Sequence, residues 1–272
     1  MSKWTQGIFA NSMAWSCYGD GEKVALIIPG GPGNPAPDIG WQEKFSIKML
    51  LPLLEQGYRL LTVARRRNMP QGHSVVDMAG EYAKMIEAEF GGQADLVVGV
   101  SYGGIIGQYL AANHLGCFKH IVILVAACEV HDPEGIDQQF ARAVAEGRWF
   151  AGGAIMSKTL FPDAKFPFLA RMMGGLLMKL FAGSLHEYMA NDVMVEAEAE
   201  ALFDAREALP RITVPVLLIG GDEDAYFPEA LTQETADLIP NCTLRLYEGK
   251  GHLDAAMDKR IAGDILRFIG QA

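Results

Sequence analysis

Gly99-Val100-Ser101-Tyr102-Gly103 is a G-x-S-x-G pentapeptide placed where an apolar run gives way to a helical pattern. A serine hydroxyl is a poor nucleophile near neutral pH, so acyl-transfer chemistry at Ser101 needs a base and a third group to orient that base. Six histidines are present. His252 stands in Gly249-Lys250-Gly251-His252, a glycine-flanked loop directly after the last strand pattern, and is the expected base. His114 and His120 fall at the far ends of their elements. His73 follows Gly72 before a helix, and His131 and His186 belong to a later segment. The acid is sought in Gly220-Gly221-Asp222-Glu223-Asp224, again after a strand: Asp224 first, Asp222 next, with Glu129 a third candidate.

These residues need elements to present them. Asp95 to Val100 reads as a strand buried on both faces of a parallel sheet, and Ile105, Ile106, Tyr109, Leu110 and Ala112 recur at helical spacing after the serine. Glycines at 99 and 103 remove the Cβ atoms that would crowd a tight strand-turn-helix elbow. The new helix brings unpaired N–H groups and a positive dipole end beside the serine. Upstream, the strand Lys23–Ile28 enters Pro29-Gly30-Gly31-Pro32-Gly33-Asn34-Pro35, a loop too rich in proline and glycine for helix or strand. Its main-chain N–H groups are free for a ligand. G-x-G-x-x-G and Walker spacing are absent, so an oxyanion donor at Gly31 is expected rather than a phosphate loop.

Strand and helix patterns alternate along most of the chain. Strands are expected at Ile8–Ala10, Met13–Tyr18, Lys23–Ile28, Tyr58–Ala64, Asp95–Val100, His120–Ala127, Val214–Ile219 and Thr243–Tyr247. Helices are expected at Phe45–Gln56, Val75–Phe90, after Ser101, up to Leu238 and over Met257–Phe268. From Cys128 to about Leu209 no strand pattern occurs; turn signals stand at Asp132-Pro133-Glu134-Gly135, Gly152-Gly153, Phe161-Pro162-Asp163 and Gly174-Gly175. The fold class is therefore α/β: a mostly parallel central sheet with helices on both faces, a core domain of 1–128 and 210–272, and a helical insertion of 129–209.

Within the insertion Phe166–Phe181 is the most apolar stretch, and Met172, Met173 and Leu176 are expected to line a substrate pocket, with packing on the sheet domain the alternative. Glu196, Glu198, Glu200, Asp204 and Glu207 read as a solvated helix face. Arg65-Arg66-Arg67 reads as solvated or locally paired, with binding of an anionic substrate group as the alternative.

The chain has 272 residues, half of them hydrophobic, which gives it material for a large core. Its formal charge of -10 argues against nucleic acid or an anionic membrane surface as partner. Cys17, Cys117, Cys128 and Cys242 are dispersed without C-x-x-C spacing, so neither a zinc site nor a disulfide framework is expected. The first residues lack an apolar signal region, and no run is long enough to span a bilayer. A cytoplasmic protein with a small-molecule substrate, no metal, no organic cofactor and no membrane insertion is the expectation; a homodimer is compatible with it.

The strand, the Gly-rich loop, the G-x-S-x-G elbow, the late Asp and the final G-x-G-H loop, in the order Ser, Asp, His, resemble the α/β-hydrolase superfamily, in particular its serine-nucleophile, capped esterase-like branch. The resemblance implies the α/β-hydrolase fold with a helical cap after the sixth strand. It implies Ser101 as nucleophile, His252 as general base and acid, Asp224 as orienting acid, and the N–H groups of Gly31 and Tyr102 as oxyanion hole. Two departures stand out. The family's His-Gly-Gly-Pro-Gly appears as Pro29-Gly30-Gly31-Pro32-Gly33, without the histidine that braces the loop. Its Asp-x-Arg-Gly-x-Gly-x-Ser stretch is replaced by Ala64-Arg65-Arg66-Arg67-Asn68 and, further on, Gly72-His73-Ser74. Relatives that open epoxides or displace halide carry aspartate at the elbow, and Ser101 speaks against both. The expected activity is that of a carboxylesterase on small to medium apolar esters. Carbon–carbon hydrolysis of dienone-type substrates and a slow-turnover ligand receptor are the alternatives.

Overall fold

The apolar runs fold as strands of one sheet. In the computed structural model, residues 4–31, 44, 47–160, 164–181 and 187–271 are described. The strands are β1 (Trp4–Ile8), β2 (Met13–Tyr18), β3 (Lys23–Ile28), β4 (Tyr58–Arg66), β5 (Ala94–Val100), β6 (Phe118–Leu124), β7 (Val216–Gly221) and β8 (Cys242–Tyr247). Their order is β1-β2-β4-β3-β5-β6-β7-β8. β2 pairs antiparallel with β1 and β4, and every pairing from β4 to β8 is parallel. All six residues of β7 and all of β3 but Lys23 are buried, as a parallel sheet covered on both faces requires.

Helices supply that cover: α1 (Val75–Phe90), α2 (Tyr102–Asn113), α3 (Ile136–Ala145), α4 (Trp149–Leu160), α5 (Pro167–Phe181), α6 (Met189–Ala201), α7 (Glu229–Leu238), α8 (His252–Ala256) and α9 (Ile261–Gln271). One apolar layer joins α1 and α2 to the sheet through Met78, Tyr82, Ile86, Ile105 and Ile106; the opposite layer uses Leu50, Leu53, Ile261 and Ile265. Each such aliphatic side chain contributes roughly 1.5–3 kcal/mol when fully buried. α1 starts at a reciprocal cap, with Asp77 N–H donating to Ser74 Oγ (3.1 Å) and Ser74 N–H to Asp77 Oδ2 (2.9 Å).

Several local expectations are corrected. The first strand lies earlier, at Trp4–Ile8. Of the helix expected over Phe45–Gln56, Phe45 and Ser46 lie outside the described residues, and Lys48–Gln56 is a 3₁₀ helix containing Pro52, which has no N–H to give an α-helical turn. The helix expected over Met257–Phe268 begins later, at Ile261, and the short α8, His252–Ala256, precedes it. Gly152-Gly153 and Gly174-Gly175 are not turns but lie inside α4 and α5. A Cβ on Gly153 would stand 2.2 Å from the Gly174 carbonyl oxygen, and one on Gly174 2.7 Å from that of Gly153. The pairs serve a close helix crossing. The Phe161-Pro162-Asp163 turn lies outside the described residues.

Helices α3 to α6 all fall between β6 and β7, which are hydrogen-bonded neighbours. The segment is closed at its base, where Ala205 N–H donates to Cys128 O (2.8 Å) and Glu129 bridges Asp204. It has a small core of its own, with Phe140, Val144, Val193 and Ala197 buried together. Among the described residues no helix is long and apolar enough to cross a membrane.

Candidate active site

Ser101 stands between β5 and α2 with φ 51° and ψ -115°, a conformation an L-residue adopts only under constraint. The constraint is visible around it. Its N–H donates to Leu124 O on β6 (2.8 Å), and its own carbonyl accepts the first helical N–H groups, from Gly104 (2.7 Å) and Ile105 (3.2 Å). The flanking glycines are sterically required: a Cβ on Gly103 would lie 2.0 Å from Ile28 O, and one on Gly99 2.4 Å from Gly103 O. Tyr102 opens α2, so its main-chain N–H has no acceptor within the helix.

Three side chains separated by up to 151 residues meet here. His252 Nε2 lies 3.0 Å from Ser101 Oγ, and His252 Nδ1 lies 2.8 Å from Asp224 Oδ2. Asp224, 3% exposed, uses its other oxygen to accept the N–H groups of Tyr226 (2.9 Å) and Phe227 (3.1 Å). The aspartate is thus fixed by the start of its own loop, and the imidazole is fixed by the aspartate. Tyr226 and Phe227 also pack their rings on His252, with centroids 5.4 and 5.8 Å away. With Nδ1–H donating to Asp224, Nε2 is left to accept the serine proton.

The other sequence candidates lie elsewhere. Asp222 Oδ1 accepts from Lys250 N–H (3.2 Å) and shapes the turn; Glu129 pairs with Arg206 (2.8 Å). His73 faces Glu81 (3.4 Å), and His120 packs on Phe268. His186 lies outside the described residues.

The Pro29-Gly30-Gly31 loop presses on the nucleophile: a Cβ on Gly30 would be 2.8 Å from Val100 O and 3.0 Å from Ser101 Cβ. Gly31 has φ +76° and lines the same cavity as Ser101 and Tyr102. Pro32 to Pro35 lie outside the described residues. Arg65 underlies this loop. It is not solvated and not placed for an anionic substrate; it is 1% exposed, and its three donor nitrogens are taken within the protein. Nη1 donates to Pro29 O (2.9 Å), Nη2 to Gly31 O (2.8 Å), and Nε to Glu196 Oε1 (2.5 Å). The guanidinium also covers the Tyr102 ring at 4.7 Å. Of its neighbours, Arg66 pairs with Glu81.

The expected solvated acid face of α6 is likewise corrected. Asp192 and Glu196 are fully buried, and Glu200 lies on the same stripe, one turn apart each time. Asp192 accepts the N–H groups of Asn68 (3.1 Å) and Met69 (2.9 Å); Glu196 meets Arg65, and its carbonyl accepts Tyr102 OH (3.0 Å). Glu198, off the stripe, faces solvent as expected, and so do Asp204 and Glu207 beyond the helix.

A cavity of about 400 Å³ opens over Ser101. Its walls are largely apolar, including Ile27, Leu50, Val125, Phe227, Leu253 and Met257. From the insertion it receives Asp137, Met156 and Glu200. Met172, Met173 and Leu176, expected to line it, do not: they are 44%, 53% and 52% exposed, because α5 spends its glycine face on α4 and turns these side chains outward. Sequence reading missed the two acids. Burial, then the charge of Asp132, pushes the Asp137 carboxyl up to about 6, and Tyr226 OH donates to it (3.1 Å). Burial, then Asp137 and Glu196, raises Glu200 well above the usual carboxylate range.

Comparison with known proteins agrees with this architecture. The chain is 26% identical over 226 residues to a protein of Stutzerimonas stutzeri (strain A1501) provisionally named carbamate hydrolase RutD, covering 79% of this chain and 83% of that one. It is 24% identical over 274 residues to the non-heme chloroperoxidase CPO-A1 of Kitasatospora aureofaciens, covering 93% and 94%. The crystal structure of the enol-lactonase from Burkholderia xenovorans LB400 superposes with a TM-score of 0.72 at 17% identity, covering 95% and 96%. The sequence model of the Alpha/beta hydrolase family matches residues 25–263, which is most of the chain. The chain belongs to the alpha/beta hydrolase family.

Proposed function

We propose that this hydrolase is a serine carboxylesterase for small to medium, mostly apolar esters. The observation that carries the reading is the Ser101–His252–Asp224 relay, with contacts of 3.0 and 2.8 Å, at the floor of an apolar cavity of about 400 Å³. Ser101 Oγ attacks the ester carbonyl carbon while His252 Nε2 takes its proton. The negative oxygen is received by the N–H groups of Gly31 and Tyr102. The carbonyl–alkoxy bond then breaks, His252 returns the proton to the leaving alcohol, and an acyl-enzyme remains. Water, deprotonated by His252, attacks that acyl group; the acid leaves and Ser101 recovers its proton. A lactone is a cyclic ester and enters the same sequence, which accords with the enol-lactonase among the structural neighbours.

The test is hydrolysis of p-nitrophenyl esters of increasing chain length by wild type and Ser101→Ala, with phosphonate labelling alongside. Turnover and labelling that disappear together in the variant support the reading, with kcat down by about 10³-fold or more. Labelling at Ser101 without ester turnover moves the assignment to carbon–carbon hydrolysis or to a slow-turnover receptor. Turnover that survives the substitution rejects the serine mechanism.

A further inference from the structure

Arg65 replaces an element of the family pattern and takes over a task that another missing element would perform. The Pro29-Gly30-Gly31 loop lacks the leading histidine expected to brace it. In its place, two nitrogens of one buried guanidinium hold Pro29 O (2.9 Å) and Gly31 O (2.8 Å). Those carbonyls belong to the peptide units on either side of the Gly30–Gly31 peptide, whose N–H is the candidate oxyanion donor. Fixing both neighbours fixes the unit between them. A loop with Gly31 at φ +76° has little intrinsic preference for one orientation, so the external restraint matters.

The restraint reaches the second donor as well. The third Arg65 contact is Glu196 Oε1 on α6 (2.5 Å), and the main-chain carbonyl of that same Glu196 accepts Tyr102 OH (3.0 Å). Arg65 itself lies over the Tyr102 ring. Gly31 and Tyr102, 71 positions apart, are therefore both referred to one residue of the helical insertion. A planar guanidinium with a fixed fork of donors suits three acceptors in this arrangement; a lysine ammonium is a point donor on a flexible stem.

We propose that Arg65, held by Glu196, is the positioning residue that sets the oxyanion hole, fastening the Gly31 N–H to the same helix that anchors Tyr102. This rests on the acyl-transfer reading of the pocket. Arg65 touches no reacting atom; it acts through the loop. Its action is expressed where negative charge develops and not in binding of the uncharged ester, so loss falls on kcat rather than KM.

The experiment compares wild type with Arg65→Lys and with Arg65→Met/Glu196→Leu, the latter leaving no lone buried charge. Three readouts are taken: kcat and KM on a p-nitrophenyl ester, inhibition by a trifluoromethyl ketone that forms a charged tetrahedral adduct with serine, and amide hydrogen exchange of the 24–31 peptide. In the folded double variant kcat and ketone affinity fall together by about 10- to 100-fold, KM stays within about threefold, and exchange in the loop accelerates. Arg65→Lys keeps the charge opposite Glu196, retains the wild-type melting temperature and recovers part of kcat; it carries the test by itself should the double variant not fold. Unchanged kcat and loop exchange in a folded variant overturn the proposal. So does a loss confined to KM or to melting temperature. Inert wild type with accelerated loop exchange in the variant rejects the esterase reading and keeps the brace, so the two failures are distinguishable.

Discussion

Asp224 Oδ2 and His252 Nδ1 stand 2.8 Å apart, and the other oxygen of Asp224 is already committed to two N–H groups of its own loop. Asp224→Asn keeps an oxygen for those N–H groups but can offer an NH₂ to the ring, favouring the wrong tautomer. kcat should fall about 10³- to 10⁴-fold with the melting temperature nearly unchanged. Steady-state kinetics and thermal unfolding of one preparation check both halves.

Gly103→Ala places a methyl 2.0 Å from Ile28 O, where both partners are backbone of buried elements. Neither can move alone. The expected cost is about 3 kcal/mol or more, seen as a lower urea midpoint, and Ser101 loses its alignment with His252 in the same step.

Asp137 links stability to pH. Its carboxyl is raised from 3.8 in the unfolded chain to about 6 by burial first and Asp132 second. Folding therefore favours the protonated form: the associated stability is complete below about pH 3.8 and is lost as pH rises through about 6. The groups facing it are Asp132, Glu200, Tyr226 and His252. Asp137→Asn keeps an acceptor for Tyr226 OH and removes the penalty. The variant should gain on the order of 2 kcal/mol above pH 6.5 and nothing at pH 3.5, measured by denaturant unfolding across that range.

Gly174→Leu tests the crossing of α4 and α5. A side chain at this position meets the Gly153 carbonyl and Ser157 Cβ, at 2.7 and 3.0 Å for the first carbon alone. Hydrogen exchange should rise by about tenfold or more over 149–181 while the sheet peptides keep their protection, since Ile155 and Met156 of α4 and Met178 of α5 pack against a small core separate from those of the sheet. Equal loosening throughout would refute that separation.

The sheet and the Ser–His–Asp constellation were legible because each depends on short-range pattern: continuous apolar runs, and glycines flanking a serine or a histidine. What escaped depends on partners distant in the chain. Glu196 looks like part of a wet helix face until Arg65, 131 positions away, is brought against it. The Arg65-Arg66-Arg67 run looked uniform, yet strand alternation sends Arg65 inward and leaves Arg66 partly exposed. Gly-Gly pairs carry the same letters in a turn and in a close helix crossing, and only the facing helix distinguishes them. Met172, Met173 and Leu176 failed for the same reason: apolar character says that a residue seeks cover, not which neighbour provides it.

The helical segment leaves the sheet and returns to it at one narrow neck, Cys128 to Ala205. Sequence drift can therefore lengthen, shorten or exchange what lies beyond the neck without disturbing a single strand pairing. Arg65 limits that freedom: an exchanged segment that brings no carboxylate to it strands a cation in the core.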